Sequence, residues 1–155
     1  MSESDLALGT PFNFPVELLK SLTFVLNKVT EGVDHHIEEV VAPHDLTFKQ
    51  YSLLRFLQSE GPHAQIDISH RVGLDRTSVM RIVDALEERK LVRRDPDPND
   101  RRKHSVVVTK LGSELIKRCA ADVRQAELEL YASLSKQEQA QLLSLLRRLL
   151  LGQDS

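Results

Sequence analysis

At 155 residues the chain is about the size of one domain and long enough for a modest core. With 41% apolar and 28% charged residues it has the composition of an ordinary water-soluble globular protein, and no apolar run approaches the ~20 residues a membrane span needs. The net charge of −2 gives no whole-chain attraction to polyanions, but it is unevenly spread: residues 70–104 hold ten Lys/Arg against seven Asp/Glu, and the rest holds eleven against sixteen.

Residues 1–14 read as a loose, acidic tail with Gly9-Thr10-Pro11 as a breaker, and they lack the basic flank and apolar stretch of a signal peptide. From Pro15 onward, Leu18, Leu22, Val25 or Leu26, Val29, Val33, Ile37 and Val40 recur at three- and four-residue steps. That spacing predicts one long helix, weakened at Gly32 and stopping before Pro43, since the residue ahead of a proline resists the helical conformation. Thr47 and Gln50 have the spacing of a capping box, and Leu46 with Tyr51 that of its hydrophobic staple. Leu53, Leu54 and Leu57 then give this second helix an apolar face up to Gly61-Pro62.

Gln65–Val72 predicts a short helix with Ile68 and Val72 inward, and Gly73 can supply the left-handed residue of a tight turn. A further helix opens at Leu74-Asp75-Arg76-Thr77-Ser78 and runs through Leu86. Beyond it, Leu91–Arg94 and Ser105–Val108 are β-prone segments on either side of the loop Asp95-Pro96-Asp97-Pro98-Asn99-Asp100-Arg101-Arg102-Lys103. Pro96 and Pro98 remove backbone donors there, so the loop is not expected to extend the ladder. Leu111, Leu115, Ile116, Cys119, Val123, Leu130 and Leu134 mark another long helix. Ser135 and Glu138 form a second capping box, and it opens a last helix whose leucines from Leu142 to Leu150 cover more than one face. The single cysteine, Cys119, cannot form an internal disulfide, which fits a reducing cytoplasm, and it reads as a small buried apolar residue.

Two short helices, a tight turn, and a hairpin with a basic loop make a winged helix-turn-helix. The fold class expected is therefore mainly α with a small β-hairpin wing. With Val79 facing the core, ~100° per residue brings Val83 and Leu86 close to it and Ile82 to its edge, leaving Thr77 and Arg81 almost opposite. Arg76 and Ser78 fall in the first turn, where free backbone N–H groups and the helix dipole favour a phosphate. Arg81 can bind guanine bidentately in a major groove, with Thr77 beside it. At the loop, Arg101, Arg102 and Lys103 supply the positive charge that a narrow minor groove attracts. Within Arg89–His104 the count is seven basic against three acidic groups. The bland alternatives are an amphipathic surface helix and a solvated charged turn.

Together these residues resemble the MarR family of bacterial transcription regulators. The resemblance spans roughly Leu18 to Leu150 and is most specific in Leu74–Leu91, in Asp100-Arg101-Arg102, in Val106 to Thr109, and in the Thr109–Gly112 spacing that closes the wing. It implies a homodimer in which helices from both chain ends interlock, and one recognition helix and one wing per half-site of a pseudo-palindromic operator. It also implies repression relieved by a small aromatic or phenolic effector. The family's groove-reading positions map onto Arg76, Thr77, Ser78 and Arg81, and its minor-groove arginine onto Arg101 or Arg102. The sequence departs from the family at Lys90, where many relatives carry Gly, so this residue must adopt a left-handed conformation or the helix must end differently.

On this reading the domains are a tail (1–14), a helical dimerisation region (15–43 and 111–151) and a DNA-binding domain (46–110). The terminal leucines exceed what one copy can bury, which also favours a twofold dimer. Effector candidates are His35, Tyr51, Arg55 and Arg71, each polar with apolar neighbours. His35, His36, Glu38, Glu39 and His44 invite a metal reading, but adjacent helical positions diverge by ~100°. No metal site, cofactor or membrane partner is therefore expected. The chain lacks a recognisable nucleophile–base set and any Gly-rich phosphate loop, so catalysis is not expected. The rival reading is a winged-helix module that contacts protein or RNA without binding an operator.

Overall fold

The computed structural model describes residues 14–96 and 104–152. The expected tail up to residue 13, and Arg101, Arg102 and Lys103 of the loop, lie outside the described residues. Helix α1 (Val16–Leu19) is a single turn, followed by α2 (Leu22–Val41), a 3₁₀ turn (Ala42–His44) and α3 (Phe48–Glu60). Strand β1 (His63–Ala64), α4 (Gln65–Val72), α5 (Arg76–Glu88), β2 (Val92–Pro96) and β3 (His104–Val108) come next, and α6 (Lys110–Leu130) and α7 (Lys136–Leu151) complete the order. This is a mainly helical fold with a small antiparallel sheet, as expected.

The first expected helix is in fact two, because apolar periodicity does not register a cap. Ser21 breaks it: its Oγ accepts the Phe24 N–H at 3.3 Å and its carbonyl accepts the Val25 N–H at 3.0 Å, so the hydroxyl restarts the helix. Gly32 does not interrupt α2, which ends at Val41, two residues before Pro43. Both capping boxes form, Thr47 with Gln50 and Ser135 with Glu138. Gly73 takes the left-handed conformation, φ 68°, at the end of α4.

The wing has a strand that the sequence did not reveal. The sheet order is β1-β3-β2, with β3 in the middle, paired to β1 at His63↔Val106 and to β2 from Val92↔Val108 to Pro96↔His104. The ladder therefore reaches Pro96, which was expected to stay out of it; the residue sits at the strand's last pair, where losing one donor costs little.

The chain divides into two compact units. The first, Ile37–Val123, contains the expected limits 46–110 and holds the helix-turn-helix and the sheet. Its core is Leu53, Leu54, Ile68, Val79, Val83, Leu86, Val92, Val106 and Cys119, all nearly or wholly buried. Of the apolar positions expected along α6, Leu115, Ile116, Cys119, Val123 and Leu130 are buried, but Leu111 is 49% exposed and Leu134 lies beyond the helix end. Cys119 fits its role as a core residue: burial, with Asp122 adding to it, pushes its thiol from 9.0 up to about 11.

The second unit joins the residues before Ile37 to those after Val123. Within it, α2, α6 and α7 line a groove floored by Leu26, Val29, Leu142, Leu143 and Leu146. No side chain of α7 is buried. None of the described helices is long and apolar enough to cross a membrane.

Candidate nucleic-acid interface

Helix α5 is fixed at both ends and along one face. At its start, Asp75 is the N-cap and its carboxylate accepts the Ser78 N–H at 2.9 Å and the Ser78 hydroxyl at 2.6 Å. These bonds, the hydroxyl's first, hold the Asp75 carboxyl below its ordinary value. At its end the chain closes in a Schellman arrangement: the Lys90 N–H donates to the Glu87 carbonyl at 2.8 Å and the Leu91 N–H to the Leu86 carbonyl at 2.9 Å. Lys90 takes the left-handed conformation, φ 58°. The strained alternative is thus the one adopted, and the apolar Leu86 and Leu91 beside it are both buried.

Val79, Val83 and Leu86 are fully buried, and Ile82 is half-buried at the edge, as the helical phase predicted. That leaves Arg76, Thr77, Met80, Arg81 and Asp84 exposed. Ser78 is half-buried and its hydroxyl is committed to Asp75. The outer face of α5 thus presents two guanidinium groups and a threonine hydroxyl from a helix whose opposite face is locked in the core. Such a face fits a major groove.

The join between wing and α6 explains the Thr109–Gly112 spacing. The Thr109 Oγ1 donates to the Lys90 carbonyl at 2.7 Å and accepts the Gly112 N–H at 3.1 Å, and the Thr109 N–H donates to the Leu91 carbonyl at 3.0 Å. A Cβ on Gly112 would lie 2.1 Å from the Leu91 carbonyl oxygen, so only glycine fits there.

Sequence reasoning missed Arg94. Its guanidinium reaches Glu87 and Asp84 on α5, and its N–H donates to Glu87 Oε1 at 3.0 Å, tying β2 to α5. Burial works against its charge, but the bonds to Asp84 and Glu87 outweigh this and hold the group above its ordinary value. The neighbouring Arg93 instead pairs with Asp95 along β2 at 2.8 Å. Helical spacing would have revealed that Asp84 and Glu87 are three apart on one face, but not which basic group meets them.

The four effector candidates are divided between the two compact units. Tyr51 and Arg55 meet, the Arg55 Nη1 donating to the Tyr51 hydroxyl at 2.9 Å. Arg71 is engaged elsewhere, with Glu60 at 2.7 Å and over the Phe56 ring. His35 belongs to the other compact unit. A cavity at the 3₁₀ turn, lined by His44, Asp45, Arg89, Leu111 and Arg118, contains none of the four. Among the described residues no three His, Cys, Asp or Glu side chains converge on a possible metal position.

The model of the MarR family matches residues 46–104. The homoprotocatechuate degradative operon repressor of Escherichia coli is 30% identical over 127 residues, spanning 81% of this chain and 85% of that one. Among solved structures, a cysteine-to-serine mutant of MarR from E. coli complexed with operator DNA superposes with a TM-score of 0.79 at 25% identity, over 90% of this chain and 99% of the other. CouR from Rhodococcus jostii bound to p-coumaroyl-CoA gives 0.80 at 26% identity, over 89% and 97%.

Proposed function

The chain belongs to the MarR family, and from that premise we propose a cytoplasmic, homodimeric transcription repressor that holds a pseudo-palindromic operator and releases it on binding a small aromatic effector. The observation that carries this reading is the outer face of α5. Arg76, Thr77 and Arg81 are exposed on a helix whose opposite face is locked by Val79, Val83 and Leu86, with an antiparallel wing beside it. Arg81 and Thr77 read base edges, Arg76 meets a phosphate, and Ser78, whose N–H and hydroxyl both donate to Asp75, serves by fixing the start of the helix that presents them. Arg101, Arg102 and Lys103 are assigned to the minor groove and flanking phosphates on charge and position in the sequence.

The helical ends, 15–43 and 111–151, supply the dimer. The leucines of α7, with Leu22 and Val16, are exposed in the single chain and need a partner surface. Two family structures, one bound to operator DNA and one to p-coumaroyl-CoA, support the paired roles of operator and effector. Of the effector candidates, Tyr51 and Arg55 have the firmest support, because a phenolic ring stacked near a guanidinium is suited to an aromatic anion.

The test is retention of the protein on its own promoter DNA at several salt concentrations. Specific retention is expected to fall steeply as salt rises. Arg81→Ala is expected to cost about 1–3 kcal/mol and to relax preference at one base pair. Arg102→Ala is expected to weaken all sites containing a narrow minor groove. Retention indifferent to salt and to both substitutions would overturn the reading, as would failure of every aromatic acid tried to release the complex.

A further inference from the structure

We propose that Arg94 is a positioning residue for DNA recognition, one that sets the angle between the wing and the recognition helix by bridging Asp84 and Glu87; this rests on the operator-binding reading above. Three observations carry it. The Arg94 side chain is 24% exposed, between α5 and β2, and its two terminal nitrogens each meet a different carboxylate of α5. Its backbone N–H also donates to Glu87 Oε1, so Glu87 holds both the strand and the side chain. Asp84 and Glu87 lie one turn apart on α5, so the fork defines a direction along the helix as well as a distance from it.

The bridge adds a direct tether at the edge of the sheet. The wing is held at its base by the closure at Lys90 and the Thr109 bonds, and through β3 by β1. Strand β2 is the sheet's other edge, and Arg94 ties it to α5 itself. The pair of carboxylates also poses an electrostatic problem. Asp84 is 56% exposed at its side chain, on the face of α5 that carries Arg81, where an unpaired carboxylate would repel phosphate. Arg94 therefore has two separable effects, neutralising the carboxylates and orienting the wing. The fork geometry serves the second of these, since a point charge would suffice for the first.

Substitution separates the two. Arg94→Met keeps most of the apolar stem, removes the fork and leaves both carboxylates bare. The double substitution Asp84→Asn with Glu87→Gln also breaks the charged bridge, but it removes two negative charges, that of Asp84 from the face that carries Arg81. If Arg94 only neutralised charge, the double variant would bind promoter DNA as well as the wild type or better. If it orients the wing, both variants lose about tenfold in affinity, because a loose wing must be ordered at the moment of binding. Arg94→Lys, a point charge without the fork, should fall between Arg94→Met and the wild type.

Hydrogen exchange provides a readout that does not depend on DNA. Amides of residues 92–96 and 104–108 should exchange faster in both variants, while those of α3 and α4 keep their protection. Wild-type affinity in either variant, or unchanged exchange in the wing, overturns the proposal. Loss of protection throughout 37–123 also overturns it, since Arg94 would then be a stability element only. If the wild type itself shows no specific retention, the operator reading fails, and the exchange data alone decide whether the bridge orients the wing.

Discussion

Lys90 and Gly112 are mirror cases of what a single Cβ does at the wing's base. Lys90 carries a Cβ at φ 58°, a conformation that costs an L-residue roughly 1–2 kcal/mol. Gly112 lacks a Cβ where one would sit 2.1 Å from a backbone oxygen that cannot move without unmaking the Thr109 bonds. Lys90→Gly should therefore stabilise the protein by about 0.5–1 kcal/mol, the relieved strain being partly offset by the greater freedom of glycine in the unfolded chain. Gly112→Ala should destabilise it by about 1–3 kcal/mol, the usual range for forcing atoms into a filled space. Denaturant midpoints of the two variants against the wild type check both, and shifts of the same sign would refute the account. Gly112 was legible only through its spacing from Thr109; the carbonyl that forbids a side chain comes from Leu91, far away in sequence.

The elements most faithfully written in the sequence are those fixed by neighbours along the chain. Thr47 with Gln50, Ser135 with Glu138, and Gly73 each act within one turn, and each appears where the local chemistry put it. Strand β1 was not legible, because His63-Ala64 is too short to show alternation and exists only through pairing with Val106 and Ser105. The break at Ser21 was hidden by apolar spacing that runs on unbroken on both sides of it. Recognition helix α5 adds an N-cap that the opening Asp75 only hinted at, and the cap has a pH signature. The folded Asp75 carboxyl is lowered chiefly by the Ser78 hydroxyl, then by the Ser78 N–H, so its ionised form is favoured by folding. Its contribution is present above the unfolded carboxyl value of about 3.9 and is lost as pH falls through the lower folded value. Exchange protection at the start of α5 should weaken across that acid window, and Asp75→Asn should abolish the pH dependence while retaining an N-cap. An identical acid response in the Asp75→Asn protein would show that the cap carboxylate is not its source.

At the scale of the whole molecule the deciding feature is the apolar surface that one copy leaves uncovered. Leu149, Leu150 and Leu151 are 68%, 83% and 73% exposed, and Leu143 and Leu145 about half so, on a helix with no buried side chain. A water-exposed helix of this kind would be costly in a monomer, at ~25 cal/mol for each Å² of apolar surface left in water. A twofold partner would cover it, and on the operator reading proposed above the same symmetry would present two recognition helices to one duplex, roughly 34 Å apart for adjacent turns of B-DNA. The affinity for a whole operator then depends on the dimer rather than on either α5 alone, because the second half-site is bound at high effective concentration. Leu143→Glu with Leu146→Glu places charge in the groove lined by α2, α6 and α7 and should shift sedimentation from about twice the 17.6 kDa chain mass toward a single chain. Where that variant fails to fold, the wild type still decides the matter, since the melting temperature of a dimer rises with protein concentration and that of a monomer does not. A concentration-independent melt together with a single-chain mass would remove the dimer, and with it the geometric basis for reading a pseudo-palindrome.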